Sequence, residues 1–204
     1  MPRTVWYPGH MAKGKRKLEE LVQKLDLILE VRDARAPHLT SSPMSDQLSR
    51  ICPVYIVLSR ADLAEEGATK AWLQFFSSIK QKAWAFNFLE GRIQLLRRDL
   101  AKLRPAHREL RLAVVGIPNV GKSLFLNLLV GKKRAPVGGV PGITRGVSWY
   151  KGQDILAVDS PGILDPRSHN EVHRRLAWLG CSKAEVIGGT DVVALSLIEH
   201  LKER

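Results

Sequence analysis

Cysteine is scarce in this sequence: only Cys52 and Cys181 occur in 204 residues, far apart and without metal-ligand spacing. That excludes a disulfide-stapled scaffold and favours a reduced compartment. No apolar run approaches the roughly 18–20 residues that a membrane-spanning helix needs. The opening MPRTVWYPGHMAKGKRK carries no apolar stretch of the secretory kind. The expectation is a cytoplasmic protein without a membrane partner, monomeric in solution. Internal repeats and low-complexity tracts are absent as well, so the chain is not a repeat array.

Acidic residues are in deficit. Lys and Arg number 32 against 20 Asp and Glu, a formal charge of +12 and a pI near 10.0. Such an excess can serve solubility alone, or it can match a polyanion, because clustered cations gain counterion-release free energy on nucleic acid. Leu18, Leu21, Val22 and Leu25 recur at helical spacing and predict a helix over 11–25. Lys13, Lys15, Arg16 and Lys17 crowd its first turns. Cations there oppose the helix macrodipole, so they do little for the helix and read as an anion-binding arm rather than only a solvated face.

Hydrophobic content of 45% and charged content of 25% are ordinary for a globular chain long enough to bury a full core. The apolar runs at 26–31, 54–58 and 111–116 are short and nearly continuous, as central strands covered on both faces are. Further strands are predicted at 83–86, 147–151 and 154–158, and helices near 43–50, 63–80 and 92–103. This alternation predicts an α/β fold with a doubly wound, mostly parallel sheet. Past Pro166, the triplets Val172, Leu176, Leu179 and Val193, Leu197, Leu201 indicate helices. The expected organisation is a basic arm and helix at 1–25, a nucleotide-binding domain at 26–166 and a helical C-terminal segment at 167–204.

Residues 116–123, GIPNVGKS, match G-x-x-x-x-G-K-[ST] between a strand and a helix. Glycines there let the backbone turn its N–H groups onto phosphate oxygens, and the helix start adds the positive end of its dipole. The predicted cradle runs from Pro118 through Asn119, Val120 and Gly121. Lys122 would reach the β- and γ-phosphates, the Ser123 hydroxyl would ligate Mg²⁺, and Leu124 follows in the helix. The bland alternative is a glycine-rich turn. Asp159-Ser160-Pro161-Gly162 follows the strand ILAVD, where Asp159 can hold Mg²⁺ through water and Gly162 can offer its N–H to a γ-phosphate. Thr144, in the glycine-rich stretch 135–146, is placed to complete the Mg²⁺ shell once a γ-phosphate is bound. Taken singly, these are a loop threonine and a turn.

Two absences qualify the site. Ile163 stands where many GTPases carry a water-orienting Gln, so intrinsic hydrolysis is expected to be slow. No NKxD sequence follows the loop at 159–162. The nearest match, Ser59-Arg60-Ala61-Asp62, precedes the P-loop, directly after the strand VYIVL. Asp62 would accept from guanine N1–H and N2–H₂, while the stem of Arg60 would cover the base face. Asn87, Phe88 and Leu89, after the strand at 83–86, would close over guanine O6.

With these residues assembled, the sequence resembles circularly permuted GTPases, specifically the ribosome biogenesis GTPase A (RbgA/YlqF) family. The resemblance rests on WYPGHMAKGKRKLEE (6–20), VRDARAP (31–37), LSRAD (58–62), GIPNVGKS, PGITRG (141–146) and DSPGIL (159–164), and extends to about residue 198. It implies GTP hydrolysis to GDP and phosphate, coupled to late assembly of the large ribosomal subunit, with ribosomal RNA and proteins as partners. It implies that His10 substitutes for the missing Gln; without the resemblance, His10 reads as a solvated arm histidine. It implies a K⁺ ion held by Asn119 beside the phosphates. One departure stands out: the family's base-reading motif usually begins Asn-Lys, and here it is Ser59-Arg60. The Asn normally braces the P-loop, and serine is expected to be too short to do so in the same way. An alternative function is a nucleotide-gated RNA- or ribosome-binding factor with little turnover; an ATP-using P-loop protein is a third reading.

Overall fold

A computed structural model describes residues 16, 18–131, 148–160, 162–164 and 170–203. His10, Thr144 and most of the basic arm lie outside the described residues. Six strands form one sheet: β1 (Leu27–Asp33), β2 (Val54–Ser59), β3 (Ala83–Ala85), β4 (Leu110–Val115), β5 (Ser148–Lys151) and β6 (Ile155–Asp159). Their order is β3-β2-β1-β4-β6-β5, parallel throughout except that β5 runs antiparallel to β6. The helices are α1 (Pro43–Leu48), α2 (Glu66–Ser78), α3 (Gln94–Ala101), α4 (Lys122–Val130), α5 (Asn170–Trp178) and α6 (Thr190–Lys202). The doubly wound α/β fold expected from the alternation is the one found.

Alternate residues of the central strands serve opposite faces of the sheet. Leu27, Leu29 and Val31 of β1 join Leu112 and Val114 of β4 under α3 and α4, against Leu96, Leu100, Phe125 and Leu129. Leu176 of α5 is fully buried in the same cluster, so α5 shares the sheet's core, whereas α6 buries no residue. On the other face Ile28, Ala113, Val115 and Val158 pack under Leu18, Val22 and Leu25, with Met44 and Leu48 of α1. Residues 18–21 are helical and lead into a 3₁₀ turn, Val22–Lys24. The apolar stripe of the arm is thus a core element, while Arg16 is exposed and pairs with Glu20. Burying each such leucine contributes about 2 kcal/mol.

From β1 the chain winds outward through β2 and β3. It then returns to lay β4 on the opposite side of β1, and β6 and β5 follow outward beyond it. A doubly wound sheet binds its ligand where the winding reverses, outside the carboxyl ends of the strands. Here that point lies between the ends of β1 and β4, at Asp33 and Gly116.

Two buried carboxylates, Glu30 and Asp33, sit on β1. Glu30 is wholly buried; it accepts from Arg32 Nη2 at 2.8 Å and from the Ser42 amide at 2.6 Å, pinning the loop 34–42 to the strand. Removing one partner of a buried pair strands the other. Glu30→Ala is expected to cost about 3 kcal/mol of stability, read from the denaturant midpoint, with Glu30→Gln costing less because it keeps an acceptor for Ser42.

Candidate functional site

The loop after β4 comes against β1. A Cβ on Gly116 (φ +150°) would lie 2.5 Å from the Val31 carbonyl, so only glycine allows the approach. Gly121 (φ +99°) then turns the chain into α4, whose first turn carries no side-chain cap among the described residues. Lys122 is buried and donates from Nζ to the Ile117 carbonyl at 2.7 Å, folding back along the loop. Burial pushes its pKa down to about 8, against the opposing pull of the Asp159 carboxylate. Ser123, next in the helix, is half-buried; Leu124 packs against the core.

Asp159 ends β6, buried, on the strand beside the P-loop strand. Beyond it, a Cβ on Gly162 would fall 2.7 Å from the Pro118 nitrogen and 2.9 Å from Lys122 Nζ. The backbone at Gly162 therefore lies directly on the P-loop, beside the amine expected to meet the terminal phosphates. The Ile163 amide donates to the Gly116 carbonyl at 3.4 Å, and its side chain is buried among Leu18, Val22 and Val158. The residue standing in place of a water-orienting Gln is a core residue turned away from the phosphate side. Ser123 and Asp159 offer a hydroxyl and a carboxylate at the strand and helix ends flanking Lys122. That sparse oxygen set suits Mg²⁺ carried by nucleotide phosphates.

The loop expected to read the base lies against the same P-loop. Ser59 Oγ is 2.7 Å from the Val120 carbonyl and 3.1 Å from that of Arg32; its single proton favours the shorter contact. Serine, expected to be too short to brace the P-loop in the way an Asn does, nonetheless reaches it, its hydroxyl ending on the Val120 carbonyl. Arg60, with φ +54°, completes the brace, donating from Nη2 to the Asn119 carbonyl at 2.7 Å and from Nη1 to Asp33 Oδ2 at 2.5 Å. Asp62 is exposed on the 3₁₀ turn Ala61–Leu63.

The loop after β3 joins it through the Ala61 amide, which donates to the Phe86 carbonyl at 3.2 Å. Asn87 accepts from the Leu89 amide at 3.0 Å and donates to Glu90, capping the turn Phe88–Glu90. Phe88, expected to touch the base, places its ring in the core instead. It stacks on Phe125 with centroids 5.1 Å apart and meets Gly121 from below. An aromatic ring buries more apolar area there than it could on an exposed loop.

Sequence reasoning gave no individual role to Asp33, Arg35 or the turn after α5. Asp33 is wholly buried and accepts from Arg35 Nε (2.9 Å) and Nη2 (2.8 Å) as well as from Arg60. Burial would raise its pKa, but the two guanidiniums and the Arg35 amide outweigh that and hold it low. Arg35 Nη2 also donates to the Leu179 carbonyl at 3.1 Å, and Asn119 Nδ2 donates to that of Gly180 at 2.9 Å. The run VRDARAP was the available signal for Asp33 and Arg35. Contacts spanning residues 35–179 and 119–180 leave no local pattern.

Two predictions follow from this geometry. Ser59→Ala removes one brace and is expected to weaken GDP binding about fivefold, measured by titration with a fluorescent GDP analogue. Phosphates seated on Lys122 would restore its proton, so binding takes up a proton above its empty-state pKa of about 8. GDP affinity should be level from pH 7 to 8 and then fall by up to about tenfold per pH unit. A flat profile through pH 9 would mean that the amine stays charged in the empty site.

The family model for 50S ribosome-binding GTPase matches residues 111–199. Ribosome biogenesis GTPase A of Bacillus cereus is 35% identical over 98% of this chain and 74% of its own length. The protein of the same name from Thermotoga maritima is 38% identical over 78% of this chain and 58% of its own. In structure, GNP-bound YlqF from T. maritima aligns with a TM-score of 0.68 at 28% identity, covering 92% of this chain and 73% of that one. The GDP-bound form aligns with a TM-score of 0.65. With its P-loop strand fourth in the chain and the base-reading loop before it, this is a circularly permuted P-loop GTPase domain, and the chain belongs to the ribosome biogenesis GTPase A family.

Proposed function

We propose that the chain binds GTP, hydrolyses it slowly to GDP and phosphate, and uses the two states as a switch in late assembly of the large ribosomal subunit. The observation that carries this reading is the convergence of two loops on the P-loop. Gly162 rests on Pro118 and Lys122, and Ser59 and Arg60 brace Val120 and Asn119, with Asp62 exposed beside them. Such a site can sense a γ-phosphate at one end and a guanine at the other. The names of the relatives support the ribosomal role, and the +12 charge suits ribosomal RNA as part of the partner surface.

In this reading Lys122 and the first-turn amides of α4 neutralise the phosphates, and Ser123 and Asp159 hold Mg²⁺, Asp159 through water, with Thr144 completing the shell. Mg²⁺ would stabilise the charge that develops on the phosphoryl oxygens. Asn119 contributes to a K⁺ position. Ile163, buried, supplies nothing to the attacking water, so that role passes to His10 or to a ribosomal group. The same burial favours, as a second reading, an RNA- or ribosome-binding factor that scarcely turns over. Single-turnover GTP hydrolysis with and without large-subunit particles separates the two: the switch predicts strong stimulation, the binding factor none.

GTP and GDP are expected to bind at least about tenfold more tightly than ATP, the contribution of one charge-assisted base contact. Equal affinities in a competition assay would sink the guanine assignment. Lys122→Ala should abolish hydrolysis. Turnover in KCl should exceed that in NaCl; equal rates would remove the K⁺ role of Asn119.

A further inference from the structure

The run Val31–Pro37 has so far no task in the proposed function, yet it holds a wholly buried carboxylate gripped by two arginines. We propose that Asp33 is a positioning residue of the nucleotide site: it fixes Arg60, and through it the base-reading loop and the P-loop, and through Arg35 it ties both to the turn after α5.

The geometry is that of one anion shared between two forks. Arg35 grips both carboxylate oxygens, with Nε on Oδ1 and Nη2 on Oδ2, while Arg60 approaches Oδ2 alone through Nη1. Arg60 keeps Nη2 for the Asn119 carbonyl, so a single guanidinium spans the ends of β1 and β2 and the P-loop. Its backbone sits in the left-handed region, φ +54° and ψ +38°, a conformation costly for a residue with a side chain and maintained here by these two contacts. Asp62, which would read the base, lies two residues on. If Arg60 is released, the turn carrying Asp62 loses its anchor to the P-loop. Thr40 Oγ1 accepts from the Asp33 amide at 2.9 Å and donates to the Ala36 carbonyl, which holds the carboxylate's own backbone in place.

The second branch leads to the C-terminal helices. Arg35 Nη2 bonds the Leu179 carbonyl, Asn119 Nδ2 bonds that of Gly180, and Cys181 is buried immediately beyond, in the core cluster that holds Leu176. The turn 179–181 thus sits on the P-loop at Asn119 and on the Asp33 assembly at Arg35. Any shift of Asp33's arginines reaches the base-reading turn and the seat of α5 together. Asp33 touches no expected ligand position itself and acts only through its partners.

This inference rests on the reading of residues 59–62 as the guanine reader, and the test separates the two. Asp33→Asn keeps the shape and one acceptor but loses the charge. Measured are affinities for fluorescent GDP and ADP analogues, and the rate at which Cys181 reacts with a thiol reagent in a Cys52→Ala background. Burial pushes the Cys181 thiol up to about 11, so in the docked turn it should react slowly. Asp33→Asn is expected to weaken GDP about tenfold while leaving ADP nearly unchanged, and to speed labelling of Cys181 by a similar factor. Arg35→Ala should speed labelling comparably with a smaller loss of GDP affinity, a pattern that general destabilisation would not produce. Should Asp33→Asn fail to fold, Arg60→Met carries the nucleotide arm, with the same loss of GDP preference expected.

Wild-type selectivity and wild-type Cys181 protection in these variants would overturn the positioning role alone. A wild-type protein that binds GDP and ADP alike would overturn the guanine reading and the positioning role together.

Discussion

The pairing of β1 with β4 is the constraint on which the site depends. These strands run parallel in register, Leu27 beside Leu112 and Glu30 beside Val115, though some eighty residues of chain separate them. Their pairing sets the reversal of winding at the centre of the sheet. It also brings the Val31 carbonyl so close to residue 116 that only glycine fits. The strands flanking this pair bring up two of the loops that approach the P-loop: β2 with Ser59 and Arg60 on one side, β6 with Asp159 and Gly162 on the other. Permutation changes the order in which these strands are made and leaves their neighbours as they are.

Polar side chains carry the precision at this edge. Lys122 has a carbonyl, Ser59 has the Val120 carbonyl, and Asp33 has two guanidiniums. Buried polar groups of this kind add little net stability when satisfied and cost a great deal when one partner is lost. They therefore specify geometry more than they stabilise the fold. Stability comes from the two apolar layers, where Phe125 under the P-loop helix and Leu18 beneath the arm are fully buried.

The sheet, its parallel sense and the P-loop were legible in the sequence because each leaves a local trace: continuous apolar runs, alternation with helical periods, and glycines at fixed offsets before Lys122. The arm's leucines announced a helix, but not that it covers the sheet beside Ile163. That packing joins residues as far apart as 18 and 163 in one cluster, and no periodicity encodes it. The serine brace was not foreseen for a related reason: side-chain length predicts reach only when the distance is known, and Ser59 and Val120 are brought together by tertiary structure, 61 residues apart in the chain. Phe88 was assigned to the base because it stands in a loop after a strand; its ring finds more apolar contact against Phe125 than an exposed loop offers.

The C-terminal segment shows how a helical attachment becomes part of a nucleotide site. Leu176 and Cys181 bury it in the sheet's own core, and the carbonyls of Leu179 and Gly180 accept from Arg35 and Asn119. A ligand can shift such a segment only by interacting differently with its docked and undocked forms. Asn119, expected in the phosphate cradle, donates directly to the turn, so a change in the hydrogen bonds of that one side chain would alter the docked state at its point of attachment. Arg35 adds a second attachment through the Asp33 carboxylate that also holds the base-reading loop. The phosphate end and the base end therefore bear on the same turn by two routes, one directly through Asn119 and one through Arg60, Asp33 and Arg35. The helices α5 and α6 are held together by the Trp178–His200 stack and the Trp178–Ser196 hydrogen bond.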